Sequence, residues 1–217
     1  MQTLSPSHLL SVCLCALFAI VLAGCGGPRY YADVLTLENP GAPKGRTVAI
    51  EPADGMDDRD LVYGRTEDRL ADVLKAHGRA VVSTPAAADE TVKLGFAHKG
   101  PIAVTQQTVS PEFIPYESHG RIHHRVVYVQ EVQTRLWYIT NLLVSGTPRT
   151  EGRAQDSSRQ AWRMEVEVHS LDASPVNRLD AALYAVSGAL DAPEAGGRSF
   201  VITDLEEEQP DVKEVTN

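Results

Sequence analysis

Hydrophobic and polar positions alternate with two different periods along this chain, and the first apolar run has no period at all. Residues 9–23 are apolar apart from Ser11 and two cysteines, and no Asp, Glu, Lys or Arg occurs before residue 25. From residue 47 the pattern becomes structured. "Thr47-Val48-Ala49-Ile50", bounded by Gly45 and Pro52, predicts a short strand. Val62, Thr66, Leu70, Val73, Leu74 and His77 then recur at three- and four-residue spacing, which predicts an amphipathic helix. Asp58 or Asp60 is placed to cap its start, and Gly78 sits where a left-handed residue ends a helix. "AVVS" at 80–83 and "ETVKLGFA" at 90–97 read as strands around the turn-like "TPAAAD".

The second half repeats the two periods. "RVVYVQEVQTRLWYI" reads as a long strand region, and the stretch after it, "NLLVSGTPRTEGRAQDSSRQ", as a further strand and turn. In "AWRMEVEVHSL", Trp162, Met164, Val166 and Val168 alternate with Arg163, Glu165, Glu167 and His169, the pattern of an antiparallel strand with one wet face. Ser174 and Pro175 form an N-cap and first-turn proline, after which Val176, Leu179, Leu183, Val186 and Leu190 trace one helical stripe. "RSFVITD" at 198–204 makes a last strand. Together these elements predict a single α+β domain, a mainly antiparallel sheet with two amphipathic helices on one face.

Three segments lack either period. Residues 28–46 carry three prolines and two glycines and read, with residue 25 onward, as a flexible tether of roughly 25 Å span. Lys99 to about residue 125 is polar, proline-bearing and aperiodic, and reads as a long loop of functional character. Residues 205–217 read as a frayed acidic tail. The expected organisation is therefore a leader at 1–24, a tether at 25–46, a domain at 47–204 and a tail at 205–217.

The initial apolar run is short for a membrane-spanning helix, which wants about 20 residues, and suits a secretory signal. Its end, Leu22-Ala23-Gly24-Cys25, resembles the lipobox of bacterial lipoproteins. That resemblance implies cleavage before Cys25, a diacylglycerol on its sulfur and a mature chain starting there. Cys13 and Cys15 would leave with the leader, so the exported domain would hold no free thiol and no disulfide. Residue 26 is Gly and not Asp, which by the same resemblance implies the outer membrane, periplasmic side.

A second resemblance rests on "RTVAIEP…DDRDLVYGRTEDRLADVLKAHG", "AADETVKLGF", "QAWRMEVEVHSLD" and "GGRSFVITDLEEEQPDVKEV". Over about residues 46–215 the chain is similar to a family of small bacterial lipoproteins that carry a domain of unknown function. The similarity implies a fold and a location, and brings no activity. The stretch 99–125 departs from the family pattern.

Charge and chemistry narrow the expectation further. The net charge of −9 lies wholly in the exported part, with basic residues interspersed among acids, which disfavours nucleic acid as a partner. The expected partners are the membrane, through lipid on Cys25, and an envelope protein. His119, His123 and His124 lie within six residues and are the candidates for a metal, although adjacent strand residues point to opposite faces. Ser187 falls within a helical stripe, without the Gly-x-Ser-x-Gly elbow of a nucleophile. Asp57, Asp58 and Asp60 sit at a helix start, where acids favour the helix dipole over glycosidase chemistry. Tyr30 and Tyr31 beside the anchor suit either the membrane interface or the domain surface, and Trp137 and Trp162 read as sheet residues. No cofactor motif is present. The function expected is a non-catalytic binding or assembly module; the alternative is a periplasmic hydrolase or metal-binding protein using the 99–125 loop.

Overall fold

A computed structural model describes residues 29–38, 45–149, 160–190, 196–205 and 210–215. The leader, Cys25 and the turn anticipated within 150–159 lie outside the described residues. The strands are β1 (Tyr30–Glu38), β2 (Thr47–Pro52), β3 (Ala80–Val81), β4 (Glu90–Ser118), β5 (Arg121–Pro148), β6 (Trp162–Ser170), β7 (Gly196–Thr203) and β8 (Asp211–Val215). The helices are α1 (Leu61–Ala76) and α2 (Pro175–Leu190). The strands form one sheet in the order β3-β2-β4-β5-β6-β1-β7-β8. β2 runs parallel to β3 and β4, and every other pairing is antiparallel, so the class is α+β on a mixed, mainly antiparallel sheet.

Both helices begin and end where their caps dictate. The Asp60 carboxylate accepts the Val62 N–H at 2.8 Å and opens α1. At its far end Gly78 takes φ +78°, Gly78 N–H donates to Lys75 O at 2.9 Å and Arg79 N–H to Leu74 O at 3.0 Å. Those two bonds satisfy the last helical carbonyls in a Schellman arrangement that favours glycine. Ser174 Oγ accepts the Asn177 N–H at 3.3 Å and opens α2 behind Pro175. Tyr63, Leu70 and Leu74 from α1 join Leu179, Leu183 and Val186 from α2 in one apolar cluster with Trp162, Met164, Val166 and Val168 of β6. Each such aliphatic side chain contributes roughly 1.5–3 kcal/mol by leaving water.

All three aperiodic segments contain strands. Residues 30–38 are not a tether: β1 is an interior strand, hydrogen-bonded to β6 on one side and β7 on the other. Tyr30, Ala32, Val34 and Thr36 are buried while Tyr31, Asp33, Leu35 and Leu37 are exposed. Because apolar residues occupy both sets, the period of two is masked, and the flanking prolines and glycines suggest a linker. The acidic tail is likewise not wholly frayed, since Asp211–Val215 pairs with β7 as the sheet edge.

The largest departure is the stretch 99–125, which is not a loop. β4 and β5 form a long hairpin whose register runs from Glu90↔Pro148 to Ser118↔Arg121. The ladder shifts between Lys99 and Ile102, at Gly100-Pro101. Gly100 takes φ +113°, and a Cβ there would meet the Trp137 carbonyl at 2.9 Å, so this bulge requires glycine. The hairpin closes on His119 (φ +54°) and Gly120 (φ +70°), a two-residue turn with both centres left-handed.

Candidate interaction surfaces

The residues singled out in the sequence do not converge. His119 is the first residue of the hairpin turn, its Nδ1 2.9 Å from Ser118 Oγ. His123 and His124 occupy successive β5 positions opposite Tyr116 and Pro115. Among the described residues no group of three or more His, Cys, Asp or Glu stands close enough to hold a metal. Asp60 caps α1, and Asp57 accepts the Arg59 N–H at 3.0 Å within the preceding turn.

Ser187 does meet a histidine: His77 Nε2 lies 3.1 Å from its Oγ, beside a cleft of about 200 Å³ between α1 and α2. Acyl-transfer chemistry also needs N–H donors aimed at an oxyanion. Ser187 is inside α2, where the backbone N–H groups are consumed by helical bonds. The contact joins the two helices.

Two buried polar clusters went unrecognised in the sequence. The first surrounds Glu90, which is fully buried at the start of β4. Its carboxylate accepts from Arg79 Nη1 at 2.9 Å, Trp162 Nε1 at 2.5 Å and Gly45 N–H at 3.1 Å. The Arg79 guanidinium also stacks over the Trp162 ring at 5.1 Å. Four chain segments are thereby joined around one charge.

The second cluster sits at the root of the hairpin. Arg178, buried on α2, donates through Nε to Thr140 Oγ1 at 2.8 Å and through Nη1 to the Asp172 carbonyl at 2.5 Å, with its plane 5.2 Å from the Tyr138 ring centre. Asp172 accepts from Tyr30 Oη at 2.5 Å and from Asn177 Nδ2 at 2.8 Å. Burial pushes the Asp172 carboxyl up, but the donors from Tyr30, Ser174 and Asn177 together with the Arg178 charge outweigh it and hold the group below its ordinary 3.8. Burial and the neighbouring carboxylate raise the Tyr30 hydroxyl far above its usual range. Thr140 also meets His98 Nδ1 at 2.9 Å. With Thr140 Oγ1 accepting from Arg178, its proton is available to His98, which suits a neutral ring protonated on Nε2. Burial, and then the Arg178 charge, lower the His98 pKa accordingly.

One face of the sheet carries the exposed positions. Asp33 and Leu35 of β1, Glu165 of β6, Leu143 of β5, Phe96 of β4 and Met56 border a cavity of about 790 Å³. Asp33 also borders a second hollow of about 630 Å³ that runs to Ile102 and Trp137 at the hairpin root. The lining is mixed: on β6, between β1 and β5, Glu165 stands between Leu35 and Leu143 and Glu167 between Asp33 and Asn141, with Arg163 paired to Glu165 at 2.7 Å and His169 to Glu167 at 2.9 Å. Ser199 donates to Asp33 at 2.6 Å. Leu35, Leu37 and Tyr31 are each about two-fifths exposed or more (43%, 49% and 41%), on strands otherwise built into the core. Exposed apolar side chains interleaved with paired polar groups around a concavity are the character of a recognition surface. Alternation in β6 signalled this wet face; β1 contributed no such signal.

No protein-family model matches the chain, and no curated protein matches it significantly. Among solved structures it is similar to a PDZ domain protein from Parabacteroides distasonis, with 11% identity and a TM-score of 0.43 over 88% of this chain and 42% of that one. It is also similar to a PelC dodecamer from Paraburkholderia phytofirmans, with 12% identity and a TM-score of 0.39 over 75% of this chain and 99% of that one. The chain thus spans less than half the length of the first. Likenesses this distant carry no functional argument. No helix among the described residues is long and apolar enough to cross a membrane.

Proposed function

We propose that the chain is a lipoprotein of the bacterial envelope, held by acylated Cys25 at the periplasmic side of the outer membrane, whose domain is a non-catalytic binding or assembly module. Both helices are taken to pack on one face of the sheet, a reading supported by their shared apolar cluster and by the Arg65–Asp180 ion pair at 2.9 Å. The opposite face is then free for a partner. The observation that carries the proposal is the 790 Å³ cavity, whose lining mixes exposed apolar side chains with paired charges and so suits a polypeptide segment of mixed charge.

A photoreactive benzophenone residue at Leu35, compared with one at Lys75 on α1, tests this in intact envelopes. A discrete protein adduct at Leu35 and none at Lys75 is the expected result; the same adducts at both positions, or none at Leu35, would overturn it. Cys25→Ala should move the chain from the membrane to the soluble fraction, and unchanged fractionation would refute the anchor.

A further inference from the structure

Beyond the root cluster the hairpin stands alone. From Ile102↔Trp137 to Ser118↔Arg121, β4 and β5 pair with each other, and among the described residues no third strand joins either edge. Seventeen paired positions at 3.3 Å per residue make a ribbon about 55 Å long. A free two-stranded ribbon is marginal in water and exposes two rows of unpaired backbone groups. Its length is far more than a turn between strands requires.

The register sorts its side chains onto two faces, since directly paired residues share a face. One face receives the odd-numbered residues of β4 and the even-numbered residues of β5. Between Ala103↔Leu136 and Pro115↔His124 that face contains no Asp, Glu, Lys or Arg. It presents Val109, Phe113, Val126, Tyr128, Val132 and Leu136, all half-exposed or more. Its amides, Gln107 and Gln130, are diagonal neighbours within reach of one another. The other face carries Glu112, Arg125, Glu131 and Arg135 over the same length. The first charge on the uncharged face is Glu117, next to the tip.

The uncharged stretch is thirteen residues long in each strand, where a tilted membrane-spanning strand needs about 9–11. The uncharged face also carries Thr105, His124 and Thr134, and the other face Val104, Ile114, Val127 and Val129, so the charges are what the two faces sort; one charge-free face over this length is what a transmembrane barrel strand requires. An open ribbon cannot cross hydrocarbon, because its edge N–H and C=O groups would be unsatisfied; a closed barrel removes the edges. Closure requires at least about eight strands, and hence at least about four copies giving two strands each.

We propose that the ribbon is one stave of an oligomeric β-barrel, in which at least about four copies of this chain pair their ribbons edge to edge across a bilayer. The uncharged face meets lipid, and Glu112, Arg125, Glu131 and Arg135 line an aqueous lumen. Pro111 and Pro115 supply no N–H to the ladder, which leaves carbonyls short of a partner, the less costly of the two backbone defects. The inference deepens the envelope reading above and depends on the domain being delivered to a membrane.

The test uses the full-length lipidated chain, reconstituted into phosphatidylethanolamine and phosphatidylglycerol vesicles whose acyl chains carry nitroxides at a shallow or a deep position. Single cysteines at Val109, Tyr128 and Val132, and at Thr108, Val129 and Glu131 on the other face, are labelled with bimane, the parent chain setting the background. Deep nitroxides should quench the first set at least about twofold more than the second, with a detergent-resistant oligomer of four or more copies. Equal quenching on both faces, quenching confined to the shallow nitroxide, or a species smaller than four copies would each overturn the proposal. Retained membrane fractionation through Cys25 alongside any of these results would refute the barrel and leave the anchoring intact.

Discussion

Tyr30 Oη donates to the Asp172 carboxylate at 2.5 Å, joining the first residue of β1 to the turn that launches α2 across 142 positions of sequence. Because Asp172 also accepts from Asn177, and Arg178 bonds the Asp172 carbonyl and Thr140, this one contact belongs to a network that fixes the hairpin root to the domain. Tyr30→Phe should cost about 1.5–3 kcal/mol, the range for a hydrogen bond to a charged group. Urea unfolding measures it, and an unchanged midpoint would contradict the role given to the network.

Glu90 should be the most sensitive charge in the core. Glu90→Ala leaves Arg79 without its carboxylate and Trp162 Nε1 without its acceptor, at a cost of roughly 3–5 kcal/mol. Gly146→Ala should act on the same cluster, since a Cβ there collides with the Glu90 carboxylate and the Trp162 indole. Its expected cost is about 1–3 kcal/mol, the usual range for overpacking. The double variant should cost less than the sum of the two singles, which a mutant cycle reads directly.

Tyr63 should behave in the opposite direction. Its hydroxyl is buried and has no hydrogen-bond partner among the described residues. Burial raises its pKa, so it stays neutral. Tyr63→Phe removes an unsatisfied group while keeping the ring, and should stabilise the fold by about 1 kcal/mol in thermal or urea unfolding. A clear loss of stability would show that the hydroxyl is in fact bonded.

Acid should weaken the hairpin root. The His98 pKa lies below its ordinary 6.5 in the folded chain, so between the two values the unfolded chain binds more protons. Stability is therefore full above pH 6.5 and declines as pH falls toward the folded value. A second decline, from Asp172, begins below its ordinary 3.8. His98→Gln should flatten the first decline and leave the second, as followed by urea midpoints from pH 7.5 downward.

The ribbon should be separable from the domain. Residues beyond Val104↔Arg135 pair only across the hairpin. Replacing residues 105–134 by Asn-Gly, a turn suited to a two-residue hairpin, should leave the circular dichroism of the domain and its urea midpoint nearly unchanged. A collapse of stability would show that the arm supports the fold.

Local order was legible wherever a single face of an element is buried. Trp162, Met164, Val166 and Val168 announced β6, and Asp60, Gly78, Ser174 and Pro175 announced the ends of both helices, because caps and alternation are properties of neighbouring residues. The hairpin had one local signal, His119-Gly120 between extended segments, which its prolines and absence of a buried face obscured. The ribbon lacks the core contact from which strand periodicity ordinarily arises.

The sequence by itself determined the two amphipathic helices, the alternating strands, the acidic charge and the lipobox-like Cys25, each written within a few consecutive residues. Only the tertiary structure decided that residues 30–38 lie inside the sheet, that 102–118 and 121–137 form one arm, and that Glu90 and Arg178 are buried in networks. Several of these depend on partners remote in the sequence, 38 positions away for Arg178 with Thr140, 72 for Glu90 with Trp162 and 142 for Tyr30 with Asp172. Pairing at that distance is set by register and packing, which no local pattern of residues encodes.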